Sequence, residues 1–114
     1  MRELARKAAT ANAVRGAGQR PQATWTFLSN HAHVVVCIAR DPSIRPRDIA
    51  AAVRITERAA QRIVSELAEA GYLERTRSGR RNRYRVRLDR PLRHSLEAEA
   101  ELGSVITGVV RSQE

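Results

Sequence analysis

Apolar side chains follow a helical period over the first core-forming stretch of this chain. From residue 27 to residue 40 they recur every three to four positions, which predicts a first helix that ends at Asp41. Pro46 suits the first turn of a short second helix. Backbone N–H groups in the first turn have no acceptor within the helix, so the N–H that proline lacks is not missed there. Residues 1–22 hold few large apolar side chains, so we predict a flexible basic tail there.

The third helical pattern spans residues 56–70. The Thr56 hydroxyl can cap the first free N–H groups of a helix, and Gly71 suits the position where a helix stops. Between them lies an apolar stripe formed by Ala60, Ile63, Val64 and Leu67. The opposite face carries Arg58, Gln61, Arg62 and Ser65. The pattern therefore predicts a helix with one buried face and one exposed polar face.

After Gly71 the apolar period changes to two, which is typical of strands. A first strand is predicted over about residues 73–77, followed by a turn at Ser78 and Gly79. In the second strand, apolar and cationic positions alternate: Tyr84, Val86 and Leu88 against Arg83, Arg85 and Arg87. This alternation predicts a two-stranded ribbon with one apolar face and one fully cationic face.

Beyond Pro91, apolar residues at helical spacing predict a last helix. They are Leu92, Leu96, Leu102, Val105, Ile106, Val109 and Val110. A three-helix domain needs fewer apolar side chains to close its core, so we predict a homodimer formed through residues 92–110. The alternative is that this helix packs on its own domain.

The positive charge is concentrated in the ribbon. The 114 residues carry a formal net charge of +9 with a pI near 11.4, which indicates a polyanionic partner. Residues 74–94 contribute +7, from nine arginines against Glu74 and Asp89, whereas residues 21–73 contribute only +1. One cysteine and the lack of a long apolar run favour a cytoplasmic protein with no membrane association.

The order of helix, short extended piece, helix, turn, helix and ribbon is that of a winged helix-turn-helix. The chain resembles the small bacterial winged-helix transcription regulators of the MarR and ArsR type. The likeness lies in residues 45–86, RPRDIAAAVRITERAAQRIVSELAEAGYLERTRSGRRNRYRV, and is most specific in ELAEAGYLER. It implies an α+β, mainly helical fold with a two-stranded wing and an additional C-terminal helix. We expect a tail over residues 1–22, the winged domain over residues 23–90 and the last helix within residues 91–114.

The resemblance and the spacing together imply a sequence-specific regulator that binds double-stranded DNA. The helix over residues 56–70 is expected in the major groove, and the wing over residues 77–83 on the backbone or in the minor groove. Arginine can read guanine and glutamine can read adenine through paired hydrogen bonds. The residues expected at DNA are Thr56, Glu57, Arg58, Gln61, Arg62, Ser65, Arg77, Arg80, Arg81 and Arg83. Arg75, Arg85 and Arg87 on the strands are further phosphate candidates.

No catalytic constellation is recognisable, so we do not expect an enzyme. His33 and Cys37 are four residues apart, a spacing at which two metal ligands can share a helix face. A closed metal site needs about four ligands, and the chain has one cysteine and no dense cluster of cysteines and histidines. No metal and no cofactor are therefore predicted.

Two alternatives stay open: a winged-helix module for protein or RNA contact, and a regulator that senses a metal or another effector. RNA readers often stack bases on exposed aromatic side chains. The chain has four aromatic residues, which are Trp25, Phe27, Tyr72 and Tyr84. Most of them are expected in the core. The operator sequence, the sign of regulation and the existence of an effector are not predicted.

Overall fold

The computed structural model describes residues 24–112. The elements are α1 (Asn30–Arg40), α2 (Pro46–Val53), α3 (Glu57–Glu69), β1 (Leu73–Ser78), β2 (Arg81–Val86) and α4 (Leu102–Arg111). Within these residues the order of elements confirms the predicted winged helix-turn-helix with an additional C-terminal helix. The predicted basic tail, residues 1–22, lies outside the described range.

Capping residues set the starts of the first two helices and the turn between α2 and α3. The Ser29 hydroxyl accepts a hydrogen bond from the Ala32 N–H at 3.3 Å at the start of α1. Pro46 occupies the first turn of α2, as predicted. Arg54 ends α2 in the left-handed conformation, with φ of 71°, and so turns the chain sharply into α3.

Helix α3 has the predicted bounds because both of its end signals are used. The Thr56 hydroxyl accepts from the Ala59 N–H at 3.0 Å. At the other end Gly71 has φ of 89°, and the Tyr72 N–H donates to the Leu67 carbonyl at 2.9 Å, which closes the helix in a Schellman motif. This short ending leads directly into the wing.

The two wing strands pair antiparallel from Leu73 opposite Val86 to Ser78 opposite Arg81. The connecting residues are therefore Gly79 and Arg80, and the turn predicted at Ser78 and Gly79 is wrong by one position. Gly79 takes the first central position with φ of 64°, where a two-residue hairpin of type II′ needs glycine. The Tyr84 N–H also donates to the Pro42 carbonyl at 2.9 Å, which fixes the wing beside the segment before α2.

The C-terminal segment differs from its prediction. Residues 92–101 are not helical, and α4 begins only at Leu102. Pro91 and Glu101 form an isolated bridge, and the Leu102 N–H donates to the Arg90 carbonyl at 2.8 Å. These bonds between distant residues satisfy backbone groups that a continuous helix would have paired locally. The bridge therefore closes residues 92–100 into a loop, and Leu96 is 89% exposed.

One hydrophobic core joins α4 to the helix-turn-helix. Leu102 and Ile106 are 6% and 1% exposed, and α4 packs against α1. The alternative that this helix packs on its own domain therefore holds for its two buried residues, Leu102 and Ile106. The core residues come from every element: Val34, Val35, Val36, Ile38, Ile49, Ala50, Ala60, Ile63, Val64, Leu67, Tyr72, Leu73, Tyr84, Leu102 and Ile106.

Candidate nucleic-acid interface

The polar face of α3 is exposed along its whole length. Its predicted members, Arg58, Gln61, Arg62 and Ser65, all lie on the solvent side of the helix. The apolar stripe opposite them is buried in the core. The predicted division of this helix into a packed face and a polar face is therefore confirmed.

Thr56 and Glu57 lie at the start of this face. The Thr56 hydroxyl oxygen accepts the capping hydrogen bond, so it can still donate its own proton to another group. Glu57 is the first residue of α3 and is exposed, where its charge is favourable beside the positive end of the helix dipole.

The outer half of the wing, which we call the wing tip, consists of Arg77, Arg80, Arg81 and Arg83, all exposed. Three of these arginines contact neutral oxygen atoms. Arg81 donates to the Ser43 carbonyl, Arg83 donates to the Ser43 hydroxyl at 3.1 Å, and Arg77 donates to the Gly79 carbonyl at 3.3 Å. Among residues 24–112, no carboxylate lies within 4.0 Å of any wing-tip guanidinium group.

The inner half of the wing, which we call the wing base, holds Glu74, Arg85, Arg87 and Asp89. Glu74 lies 2.9 Å from Arg87 and 3.5 Å from Arg85. Both Asp89 carboxylate oxygens accept from Arg87 at 3.3 Å, and these bonds lower the pKa of Asp89 and raise that of Arg87. The prediction of a fully cationic outer face is therefore wrong at the wing base, because two carboxylates neutralise it.

Arg75, a further phosphate candidate on the first strand, lies beside a buried aromatic ring. It lies directly opposite Tyr84 in the ribbon, with its guanidinium carbon 5.8 Å from the centre of the Tyr84 ring. This is a cation–π contact on the inward side of the wing. Arg75 is itself exposed, so its guanidinium group lies over a core tyrosine and Arg75 stays a phosphate candidate.

A cleft of about 360 Å³ separates the wing tip from the start of α2. Arg45, Arg47, Arg80 and Arg81 line it, together with Glu57. Sequence reasoning did not single out Arg45 and Arg47, which line this cleft. Their position on either side of Pro46 marks a basic helix start, but only the fold brings that start beside the wing.

A second groove, of about 730 Å³, lies between α1, the C-terminal half of α3 and the loop before α4. It is mainly apolar, and His31, Glu66, Glu69 and Arg93 contribute polar groups to its walls. The His31 ring nitrogen Nε2 lies 2.7 Å from Glu66 Oε1. This contact joins α1 to the exposed side of α3.

The pair His33 and Cys37 has no third metal ligand beside it in the described part of the chain. Within residues 24–112 there is no group of three or more histidine, cysteine or acidic side chains that could hold a metal ion. Cys37 is half-buried, and burial raises the pKa of its thiol. Cys37 therefore serves as a small packing residue beside the core.

Two aromatic residues differ from expectation. Trp25 is 67% exposed and Phe27 is 91% exposed, and their rings form an edge-to-face pair with centres 5.0 Å apart. Tyr72 and Tyr84 are buried. Only half of the aromatic residues are therefore in the core, which weakens the sequence argument against RNA.

Residues 26–83 match the sequence model of the MarR family, and this match spans more than half of the chain. The chain belongs to the MarR family. Members of the MarR family are transcription regulators, which points away from an enzyme. The matched region covers α1, α2, α3 and most of the wing, so it contains every residue expected at DNA. The MarR part of the predicted resemblance is confirmed.

A similar solved structure is that of the zinc-dependent MarR family transcriptional regulator AdcR in its Zn(II)-bound state. It shares 17% sequence identity with this MarR family chain at a TM-score of 0.42, and the likeness covers 76% of this chain and 67% of that one. No curated protein matches the chain. No helix within residues 24–112 has both the length and the hydropathy that crossing a membrane requires.

Proposed function

We propose that this MarR family protein is a sequence-specific regulator that binds double-stranded DNA, with α3 in the major groove and the wing tip on the backbone or in the minor groove. The observation that carries this proposal is the charge distribution in the wing. Arginines are paired with carboxylates at the wing base, whereas within residues 24–112 three of the four wing-tip arginines donate to neutral oxygens and none lies within 4.0 Å of a carboxylate. Unneutralised arginines beside a polar helix face suit a phosphate backbone.

Helix α3 supplies the capacity for sequence readout. Its exposed face offers Arg58 and Arg62, which can each form paired hydrogen bonds with guanine, and Gln61, which can do so with adenine. Each good pair contributes about 1–3 kcal/mol of discrimination against a wrong base. Ser65, one turn further along, is short enough to allow close approach of a base edge or phosphate.

The wing tip and the cleft beside it supply affinity without sequence preference. Arg45 and Arg47 face the cleft from the α2 side, and Arg80 and Arg81 face it from the wing. A phosphate entering there meets guanidinium groups from two elements, which fixes the register of the protein on the duplex. Glu57 adds one negative charge to the same cleft, but the four arginines that line it outnumber this carboxylate, so the cleft stays cationic.

A homodimer formed through residues 92–110 suits this function. Two copies related by a two-fold axis present two α3 helices to half-sites about 34 Å apart along the duplex. In support of such a contact, the Leu96 side chain is almost fully exposed on the loop before α4. Val105 and Val109 are only half-buried by the core, so part of their apolar surface is free for a partner. A DNA partner implies a cytoplasmic protein.

Selection of bound duplexes from a random pool tests the proposal. We expect enrichment of an inverted repeat whose half-sites lie one helical turn apart. Recovery of all duplexes with equal efficiency would overturn sequence specificity. A parallel competition between duplex DNA and duplex RNA at about physiological salt tests the choice of nucleic acid, because exposed Trp25 and Phe27 could also stack on bases. Stronger competition by RNA would reject DNA as the partner.

A further inference from the structure

Glu66 is an acidic residue on the exposed side of α3, one turn after Arg62. Its Oε2 atom lies 3.9 Å from the Nε atom of Arg62. Its other oxygen, Oε1, lies 2.7 Å from Nε2 of His31 on α1. One carboxylate therefore contacts both a proposed base-reading arginine and a neighbouring helix.

The contact with His31 holds Glu66 in place. An ionised carboxylate can only accept, so the His31 Nε2 atom carries the proton and donates it. The two residues are 35 positions apart in the sequence, so the bond restrains Glu66 relative to a second element rather than to its own helix turn. The side chains are 47% and 49% exposed, and an exposed pair of this kind adds little to the free energy of unfolding.

The contact with Arg62 leaves the reading end of that side chain available. Glu66 faces Nε, and no acceptor within residues 24–112 forms a hydrogen bond with either terminal nitrogen of Arg62. A free arginine side chain has many rotamers, and restricting them before binding reduces the entropy lost when paired bonds form. Guanine presents two acceptors in its major-groove edge that two guanidinium N–H groups can meet.

We propose that Glu66, itself restrained by His31, is a positioning residue that orients Arg62 for base readout. The inference rests on the proposed DNA-binding function, and it adds a residue that does not itself contact DNA. Glu66 acts by limiting the directions in which Arg62 points. Its removal is therefore expected to reduce discrimination at one base pair and leave binding to unrelated sequences almost unchanged.

Glu69 provides a matched control. It lies on the same helix, is exposed and lines the same groove as Glu66. Within residues 24–112 it forms no ion pair with a lysine, arginine or histidine. Glu66→Gln and Glu69→Gln therefore remove the same charge from α3, but only the first removes a contact with Arg62.

The first experiment uses duplexes enriched from the random pool. Dissociation constants are measured for the four base pairs at the position where Arg62→Ala relaxes preference, and for a random duplex. We expect Glu66→Gln to reduce discrimination at that position about five- to tenfold, while Glu69→Gln leaves it unchanged. His31→Gln retains an N–H donor and should preserve most of the discrimination that His31→Ala loses. Equal behaviour of Glu66→Gln and Glu69→Gln would overturn the inference alone, whereas a wild-type protein without base preference would overturn the proposed function too.

The second experiment needs no DNA. The order parameter of the Arg62 Nε–H bond is measured by ¹⁵N NMR relaxation in the free, full-length protein. We expect a higher order parameter, and so a more restricted side chain, in the wild type and in Glu69→Gln than in Glu66→Gln or His31→Ala. Identical order parameters in Glu66→Gln and Glu69→Gln would overturn the positioning role whatever the result with duplexes.

Discussion

The wing tip and the wing base are both rich in arginine, yet they differ in the charge that they can offer a ligand. At the wing base, Glu74 and Asp89 form ion pairs with Arg85 and Arg87, so that four charges cancel. At the wing tip, three of the four arginines donate to carbonyl or hydroxyl oxygens, and none of the four has a carboxylate within 4.0 Å among residues 24–112. A count of arginines therefore overstates the cationic surface, and the pairing in the folded chain determines where an anion can bind.

The difference follows from the shape of the hairpin. The wing base lies where the ribbon joins the core, and there an ion pair also holds the two strands together. The wing tip extends past the core, so its side chains have mainly backbone groups and solvent around them. We therefore propose that the base serves the folding of the wing and that the tip contacts phosphates.

The largest expected effect comes from removing two charges at the wing tip. Arg80→Ala with Arg81→Ala should weaken binding to every duplex about 10- to 100-fold and reduce the salt slope by about two, since roughly 0.9 counterion is released per phosphate contact. The matched variant, Arg85→Ala with Arg87→Ala, removes the same charge from the wing base. It should lower the thermal midpoint and change the salt slope much less. Equal slopes for the two variants would abolish the distinction between tip and base.

Removing Arg62 tests whether base discrimination depends on a different residue from binding to the DNA backbone. Arg62→Ala should reduce discrimination at one base pair by about 1–3 kcal/mol, because a paired contact with guanine is lost. Binding to a random duplex should weaken far less than in the wing-tip double variant. Dissociation constants for a set of single-base-pair variants of the selected duplex give both quantities. A uniform loss across all duplexes would instead place Arg62 among the phosphate contacts.

Removing a carboxylate from the wing base should leave its arginines available to phosphates, as those of the wing tip are. Glu74→Gln removes the carboxylate that contacts both Arg85 and Arg87, and leaves a side chain of nearly the same size. We expect binding to a random duplex to strengthen about two- to fivefold at low salt, together with a small loss of thermal stability. Glu69→Gln, away from the wing, is the control for the change in net charge. Unchanged binding would mean that the wing base lies too far from the duplex to matter.

The smallest effect is a pH dependence confined to the wing base. Hydrogen bonds from Arg87 lower the pKa of Asp89 in the folded protein. The folded state therefore favours the carboxylate, and Asp89 contributes stability above its ordinary pKa of about 3.9 that is lost as the pH falls below that value. The stability difference between wild type and Asp89→Asn, measured by denaturant unfolding, should narrow from pH 7 to pH 3. The wing-tip double variant should follow the wild type, and a constant difference for Asp89→Asn would contradict the assignment.

Much of the fold could be predicted from local patterns in the sequence. Thr56, the apolar stripe and Gly71 define α3, and alternation after Gly71 defines the wing. These signals act within a turn or a strand pair. The turn was misplaced by one residue because two adjacent positions, Ser78 and Gly79, both suit a turn and only strand register separates them.

The candidate site was only partly predictable. The exposed face of α3 follows from helical period, and it was predicted correctly. Arg45 and Arg47 were missed because they are more than 30 positions from the wing arginines that share their cleft. The C-terminal loop was missed because residues 92–101 have a composition typical of helices. The spacing of their apolar residues does not indicate the bridge between Pro91 and Glu101.

The sequence by itself determined the helices that carry end signals, the period of each element and the type of charge that the wing bears. Capping, backbone freedom and side-chain period are short-range effects, so neighbouring residues are enough to specify them. Only the tertiary structure decided which arginines Glu74 and Asp89 neutralise, where α4 packs and that Glu66 lies between His31 and Arg62. Those outcomes depend on contacts between residues far apart in the chain, because the strength of a charge or an apolar face is set by what folding brings beside it.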